Sequence, residues 1–326
     1  MKRQSILVLA VVCVAAMASI ASADTFGTGS NQFIIDFVNI SGDASSANGT
    51  AIGSGKTFSD PSNDYRMGTY EITNAQWNKF VNSYGTVTGS PSNGYGESAY
   101  WTGADVPTNK VSWYATAQFV NYLNTSTGHQ AAYKFTGTQG QSDYTLDIWS
   151  VAEAAGGTNL YRHKDAMYFL PTEDEWVKAA YWNGTDLQIY ATTDGSMPTV
   201  GVDANYDQSH PRSGPWDVGT GTMELNGTFD MMGNIKEWME SPYNSGDYLP
   251  GSFRGQRGSS YEYIESYLRS SLRTGGYPHD QIFVNDLGFR VASVSEPAVI
   301  PVPGAVLLGT LGLSVAGWKL RRREKS

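Results

Sequence analysis

The residues of this chain that could carry out chemistry are few and widely spaced. Its one cysteine is Cys13. Its four histidines stand far apart, at His129, His163, His210 and His279. Metal sites and thiol chemistry need such groups at short, recognisable spacings, so the sequence predicts neither a histidine metal site nor a disulfide. The most distinctive polar stretch that remains is RGSSYEYIESYLRSSLR, residues 257–273, which combines small residues with tyrosines and has arginines at both ends.

Residues 257–273 have the composition of a binding surface. Tyrosine offers a large contact area at a small loss of side-chain entropy, and arginine pairs with carboxylate or sulfate groups. The ligand-binding residues predicted here are Tyr261, Tyr263, Tyr267, Arg269 and Arg273. The ligand would be a glycan or a peptide on another molecule. A second interpretation stays open, because Tyr261 and Tyr263 would share one face of an extended segment and could belong to the core.

The stretch GSGKT, residues 53–57, resembles the end of a phosphate-binding loop. Such a loop requires an earlier glycine, which would fall at position 50, and a helix after the lysine. This chain has Thr50 there, and FSDPSND follows instead of a helical pattern. Nucleotide binding through this segment is therefore not expected.

The beginning of the chain has the features of a secretory signal peptide, residues 1–23. Lys2 and Arg3 precede an apolar run over residues 6–17, and the small residues Ala21-Ser22-Ala23 form a cleavage pattern. The apolar run is too short to span a bilayer. We expect cleavage after Ala23 and export, which would also remove Cys13 and leave a mature chain without thiols.

The other end, residues 294–326, combines prolines, an apolar stretch over residues 305–318 and the basic cluster Lys319 and Arg321–Arg323. The positive-inside rule places that cluster in the cytoplasm and the globular part outside. This end resembles the PEP-CTERM sorting tail of Gram-negative envelope proteins, in the variant VPGAV at Val302–Val306. The resemblance implies removal by an exosortase, a transient membrane association, and final location in the cell envelope, on the outer surface or in the extracellular matrix. An ordinary C-terminal membrane anchor is the alternative.

The region between the two ends is acidic and undivided. The whole chain has a formal charge of −9 although both ends are basic, so the central region is more acidic still and is not expected to bind nucleic acid. No linker of biased composition interrupts it, and its length suffices for one large core. We predict one globular domain, in which residues 24–63 contribute a strand and a loop and residues 64–293 form the main part.

Helix and strand signals along this domain are short and far apart. Strands are expected at Gln32–Ile40, Tyr65–Ile72 and Leu287–Val294. Helices are expected after the capping residues Thr73, Ser112 and Thr172, to about Asn82 in the first case and Asn124 in the second, with a further short helix after Ser150. Long connections rich in Gly, Asn and Ser separate these elements, which favours an irregular α+β fold.

Several motifs occur along the domain in a fixed order. They are YRMGTYEITNAQWNKFVN (65–82), VPTNKVSWYATAQFVNYLN (106–124), YFLPTEDEWVKAAYW (168–182), GTFDMMGNIKEWME (227–240), RGSSYEY (257–263) and DLGFRVA (286–292). Together they resemble the formylglycine-generating enzyme family, also called the sulfatase-modifying factor domain. The resemblance implies an α+β fold of the C-type-lectin-like kind, with short helices and much loop.

The resemblance also locates the family's catalytic positions. In the enzymes, two cysteines after the RGGS motif bind copper and use oxygen to convert a substrate cysteine to formylglycine. The corresponding positions here hold Tyr263 and Leu268. Neither residue replaces a thiolate, the soft donor that selects Cu(I), so copper and oxidase chemistry are not expected. We therefore expect a non-catalytic ligand-binding or structural surface protein. The alternative is an oxidoreductase that generates formylglycine, or another metal-dependent enzyme of the family.

Calcium is the metal that the resemblance does imply. Carried over by position, its ligands are the Asp230 side chain, the carbonyls of Gly233 and Ile235, and the Glu237 side chain. Hard oxygen donors of this kind suit calcium. A second family site would begin at Asn205, but its later acidic ligand has no counterpart here. The alternative is that Asp230 and Glu237 accept hydrogen bonds from the amides of their own loop.

Overall fold

The fold is described by a computed structural model over residues 22–207, 214–281 and 284–295. Its helices are α1 (Asn74–Tyr84), α2 (Trp113–Ser126) and α3 (Glu173–Tyr181). The strands, in chain order, are β1 (Ser22–Phe26), β2 (Phe33–Ile40), β3 (Ala51–Gly53), β4 (Lys56–Thr57), β5 (Tyr65–Gly68), β6 (Phe135–Thr136), β7 (Thr145–Leu146), β8 (Ala154–Ala155), β9 (Asn159–His163), β10 (Tyr168–Phe169), β11 (Lys236–Pro242), β12 (Arg254–Arg257), β13 (Thr274–Gly276), β14 (Leu287–Gly288) and β15 (Ala292–Val294).

Two small sheets and the helices around them form the scaffold. The first sheet has the order β1-β2-β5-β15-β10, with every neighbouring pair antiparallel. The second has the order β13-β12-β11-β14, and its β11–β14 pair is parallel. Separate hairpins join β3 to β4, β6 to β7 and β8 to β9. GSGKT lies in the β3–β4 hairpin, where the Lys56 ammonium pairs with Asp174 at 3.0 Å.

The helix starts that the sequence predicts are confirmed. The side chains of Thr73 and Thr172 each accept a hydrogen bond from the backbone amide three residues later. The side chains of Gln76 and Glu175 in turn accept from the backbone amides of these threonines, which completes two capping boxes. Ser112 accepts from the amide of Ala115 at 3.0 Å and caps α2. Each cap satisfies backbone donors that the first helical turn would otherwise leave unpaired.

Two element predictions are wrong. Ser150 does bond to Glu153, but the chain turns there and enters β8 instead of a helix, because Gly156 and Gly157 take positive φ and reverse it into β9. The single strand predicted over 287–294 is two strands, β14 in the second sheet and β15 in the first. The chain crosses from the second sheet to the first between these two strands. Within this crossing, the side chain of Arg290 enters the interior and pairs with Glu237.

Aromatic side chains fill the core on both sides of the first sheet. Trp113, Phe119 and Phe289 belong to the part beneath α1 and α2, and Trp176 and Tyr181 to the part beneath α3. Phe119 and Phe289 meet edge to face with ring centroids 5.3 Å apart. Such contacts add to the burial of apolar area, which is the main stabilising contribution to the fold.

The predicted signal peptide and sorting tail lie almost entirely outside the described residues. Ser22 and Ala23, the last two residues before the predicted cleavage point, lie in β1 and pair with Phe37 and Asp36 of β2. Among the residues that are described, no helix is long and apolar enough to cross a membrane.

Candidate functional site

A buried triad of charges holds both ends of residues 257–273. Glu173, the first residue of α3, accepts hydrogen bonds at 2.8 Å from Nε of Arg257 and from Nε of Arg273. Each arginine also places a terminal nitrogen 2.7 Å from this carboxylate. Carbonyls of Ser270 and Tyr243 accept further bonds from the two guanidinium groups. The segment is therefore anchored to α3 at its first and last residues.

Two of the predicted ligand-binding residues belong to this interior. Arg273 is 6% exposed and committed to Glu173, so it contacts the scaffold and corrects our prediction of a ligand contact. Tyr261 is 2% exposed, and its ring lies edge-on to Trp101 with centroids 5.9 Å apart. The core interpretation therefore holds for Tyr261. Charge and aromaticity alone do not distinguish a surface arginine from one that a distant glutamate neutralises.

The other three predicted residues reach the surface. The rings of Tyr263 and Tyr267 contact each other with centroids 4.9 Å apart, and the Lys236 ammonium lies 5.3 Å from the Tyr263 centroid. Tyr267 is 40% exposed, and Arg269 is exposed with Nε 3.3 Å from the Tyr190 hydroxyl. Sequence reasoning missed Lys236 and the exposed Ile264 on the same segment. We call Lys236, Tyr263, Ile264, Tyr267 and Arg269 the tyrosine face.

The tyrosine face has almost no pocket. The depression lined by Lys236, Tyr263 and Tyr267 has a volume of about 10 Å³. That is roughly the space that one water molecule needs, whereas sites for small molecules usually enclose about 300–1,000 Å³. The geometry suits contact with the surface of a larger molecule better than enclosure of a small substrate.

The predicted calcium ligands are engaged with protein donors. Asp230 accepts from the Trp216 indole at 3.0 Å and from the amide of Gly219 at 2.7 Å. Glu237 accepts from Arg290 at 2.7 Å and from the Trp176 indole at 2.7 Å. Arg290 already neutralises Glu237 in the interior, and a cation at that carboxylate would have to displace a guanidinium.

The turn between these carboxylates is shaped by a close backbone contact. Gly233 has φ of 81°, and a Cβ there would lie 2.2 Å from the carbonyl oxygen of Asn205. That carbonyl accepts from the amide of Asn234 at 2.8 Å, next to Ile235. The side-chain oxygen of Asn205 is buried without a hydrogen-bond partner among the described residues. Because Asp230 and Glu237 both accept from protein donors, this arrangement presents no free carboxylate to calcium, and calcium remains a prediction that rests on the resemblance alone.

Two further carboxylates, missed by sequence reasoning, lie near Arg290. Burial raises the pKa of Glu71 well above its ordinary value, and the neighbouring Asp230 raises it further. Burial also raises the pKa of Glu224, to about 8. Glu224 accepts from the amide of Met231 at 3.0 Å, while its other oxygen has no hydrogen-bond partner among the described residues. The sequence offers no spacing signal for this cluster, because its members come from separate loops.

Comparison with known proteins places the fold in a family. Residues 55–294 match the family described as the sulfatase-modifying factor enzyme 1-like domain. The chain belongs to this family. The match covers both sheets apart from β1 and β2, all three helices and the tyrosine face.

One curated relative is similar to the greater part of this chain. The chain is 23% identical to hercynine oxygenase of Mycolicibacterium smegmatis over 237 residues. The aligned region covers 67% of this chain and 51% of that protein. The chain thus spans about half the length of this curated relative.

Solved structures confirm the predicted α+β fold of the formylglycine-generating enzyme type. Treponema denticola variable protein 1 superposes with a TM-score of 0.57 at 22% identity, over 84% of this chain and 99% of that one. CarF gives 0.54 at 20% identity, over 80% and 99%. PvdO from Pseudomonas aeruginosa gives 0.51 at 18% identity, over 84% and 92%. At these identities the likeness concerns the fold alone.

Tyr263 and Leu268, the two residues that the resemblance aligns with the cysteines of the enzymes, lie in different surroundings. Leu268 is 1% exposed and packs in the core beneath α3, where the Tyr181 hydroxyl donates to its carbonyl at 2.8 Å. Tyr263 is half-buried on the tyrosine face. His163 and His279 each lie beside an aspartate of their own loop, and His210 falls outside the described residues.

Proposed function

We propose that this chain is an exported cell-envelope protein that uses the sulfatase-modifying factor fold to bind a ligand and not to oxidise one. The observation that carries the proposal is the replacement of the thiolate positions by Tyr263 and Leu268 in a chain whose one cysteine is Cys13. Copper oxidase chemistry needs soft sulfur donors, and phenol and isobutyl groups do not supply them. The chain thus keeps the fold of the family, and it lacks the thiolate ligands that copper would need.

The tyrosine face is the surface proposed to bind the ligand. Tyr263 and Tyr267 already contact each other, so little side-chain entropy would be lost on binding. Exposed Ile264 adds apolar area, and Arg269 supplies a guanidinium for a carboxylate or sulfate. Together with the lack of a deep pocket, this favours a glycan or peptide displayed on a larger partner. The acidic chain argues against nucleic acid.

The alternative function is enzymatic. A relative named hercynine oxygenase supports it, as does membership of a family named for an enzyme. It would require metal ligands other than thiolates, and the described residues hold no group of three or more His, Cys, Asp or Glu suited to a metal. We rank this alternative second for that reason.

The absence of oxidase activity is directly testable. Purified full chain, supplied with copper, oxygen and a peptide containing a substrate cysteine, will leave the cysteine unmodified, because no thiolate pair holds Cu(I). Mass spectrometry of the peptide measures formylglycine, and a catalytic formylglycine-generating enzyme serves as the positive control. Formylglycine above the no-enzyme blank would overturn the proposal in favour of the oxidoreductase.

Export and sorting rest on the two ends of the chain. We expect protein recovered from the envelope of a Gram-negative host with an exosortase to lack residues 1–23 and the C-terminal tail. Asp24 would then begin the chain, and its carboxylate would still tie β1 to Arg66 at 2.6 Å and to the Tyr168 hydroxyl at 2.8 Å. Intact mass spectrometry measures both cuts. A mass that retains residues 305–323 would support an ordinary membrane anchor.

A further inference from the structure

We propose that a second site, a cavity beside α1 and α2, binds an uncharged saccharide. The cavity has a volume of about 510 Å³, which lies within the usual range of about 300–1,000 Å³ for sites that hold small molecules. Its lining residues are separate from the tyrosine face. This site would exist whether or not the tyrosine face binds anything.

Rigid aromatic side chains form part of the wall. Trp77 on α1 stacks on Phe119 with centroids 5.9 Å apart and an interplanar angle of 12°. Tyr95 stacks on Tyr114 at 6.3 Å, and its hydroxyl accepts from Gln118 at 3.2 Å. Trp77 and Tyr95 are both partly exposed and both line the cavity. Rings held in this way can contact the C–H face of a sugar ring without a loss of side-chain freedom.

The segment that borders the cavity is fixed by two buried asparagines. The Asn74 amide donates to the carbonyls of Trp101 and Gly103 at 2.7 and 2.9 Å. The side-chain oxygen of Asn109 accepts from the backbone amides of Tyr100 and Trp101 at 2.8 and 3.2 Å. Both asparagines are themselves lining residues. The cavity is therefore formed before a ligand arrives.

The charge of the lining selects against ionic ligands. Among the described lining residues the charged side chains are Glu97 and Lys110, which pair with each other at 2.8 Å. No unpaired cation is left there for a phosphate or carboxylate, and no unpaired anion for an ammonium group. The other polar lining groups are neutral, namely Asn78, Thr86, Ser98, Thr102, Thr108 and Gln281 with the residues above. Neutral donors and acceptors beside aromatic walls fit the hydroxyls and the C–H face of a saccharide.

The test is calorimetric titration of the purified full chain with maltotriose, cellotriose and triacetylchitotriose. We expect at least one of these neutral probes to bind. Thr102→Val and Asn78→Ala, at two exposed polar lining residues, should each weaken binding of that probe by about fivefold, the effect of one lost hydrogen bond. Asn82→Ala is the matched control, because Asn82 lies one turn further along α1 and does not line the cavity. Exposed Asn78 is a safe site to change, and an unaltered melting temperature verifies its fold.

The outcomes separate this site from the tyrosine face. Binding of none of the three probes, or equal binding by parent and both cavity variants, would overturn the proposal. Loss of the saccharide in Tyr267→Ala but not in Asn78→Ala would also overturn it and place the sugar on the tyrosine face, which leaves the proposed function standing. Glucose 6-phosphate is the charged probe, and binding as tight as that of the neutral sugars would contradict the selectivity.

Discussion

Replacement of Glu173 by glutamine will destabilise the domain by about 3–5 kcal/mol, the usual loss when one partner of a buried ion pair is removed. Glu173 is fully buried, and both of its oxygens accept from guanidinium groups of Arg257 and Arg273. Glutamine keeps the shape but offers one acceptor oxygen and no charge. Two guanidinium groups would then remain in the interior without a counter-ion.

Chemical denaturation of parent and Glu173→Gln measures this loss. The matched control is Asp174→Asn, the next residue of α3, whose partner Lys56 lies 3.0 Å away in a partly exposed pair. Such a pair contributes about 0–1 kcal/mol, so the control should lose much less. Equal losses in the two variants would show that burial of the triad has no special role. Because the triad holds both ends of residues 257–273, Glu173→Gln should also loosen the tyrosine face.

The contrast between α3 and this triad shows what the sequence could predict. Thr172 caps α3 through a residue three positions away, and such a signal lies within one helical turn of sequence. The partners of Glu173 lie 84 and 100 residues further along the chain. No local pattern connects them, so Arg273 was predicted to contact a ligand when it neutralises a buried carboxylate instead.

The candidate site shows the same limit. The motifs predict the fold, but the face that Tyr263 and Tyr267 share was not predicted, since a period of two residues would have joined Tyr263 to Tyr261, which is buried. The sequence does not indicate how deep the surface at these residues is, and the depression there has a volume of about 10 Å³. The cavity beside α1 depends on Asn74 and Asn109, which pin a loop whose residues have no distinctive composition. Pockets of this kind arise from tertiary packing and leave no spacing signal.

Glu224 gives the domain a stability that falls as pH rises from about 4.5 to about 8. Burial raises its folded pKa to about 8, from an ordinary value of 4.5. Its stabilising contribution is therefore fully present below the unfolded pKa, where both states hold the proton. As pH rises the unfolded chain releases the proton first, and folding then keeps a proton bound at increasing cost until the folded pKa is passed. The total change is on the order of 5 kcal/mol, from about 1.36 kcal/mol for each pKa unit.

Glu224→Gln removes this titration and keeps an acceptor for the amide of Met231. The variant should melt close to the parent at pH 4.5 and clearly above it at pH 8, and the gap should open between those values. Thermal unfolding at a series of pH values measures the gap.

The difference between parent and variant isolates the effect of Glu224 from that of Asp230. Burial raises the pKa of Asp230 as well, but both proteins contain this residue. Asp43→Asn is the control. Asp43 is exposed, and hydrogen bonds from Ser45 lower its pKa, so no gap should open between pH 4.5 and pH 8. A gap that is constant with pH would mean that Glu224 stays ionised in the folded protein, and Arg290 would then neutralise more of the buried cluster than its contacts with Glu237 indicate.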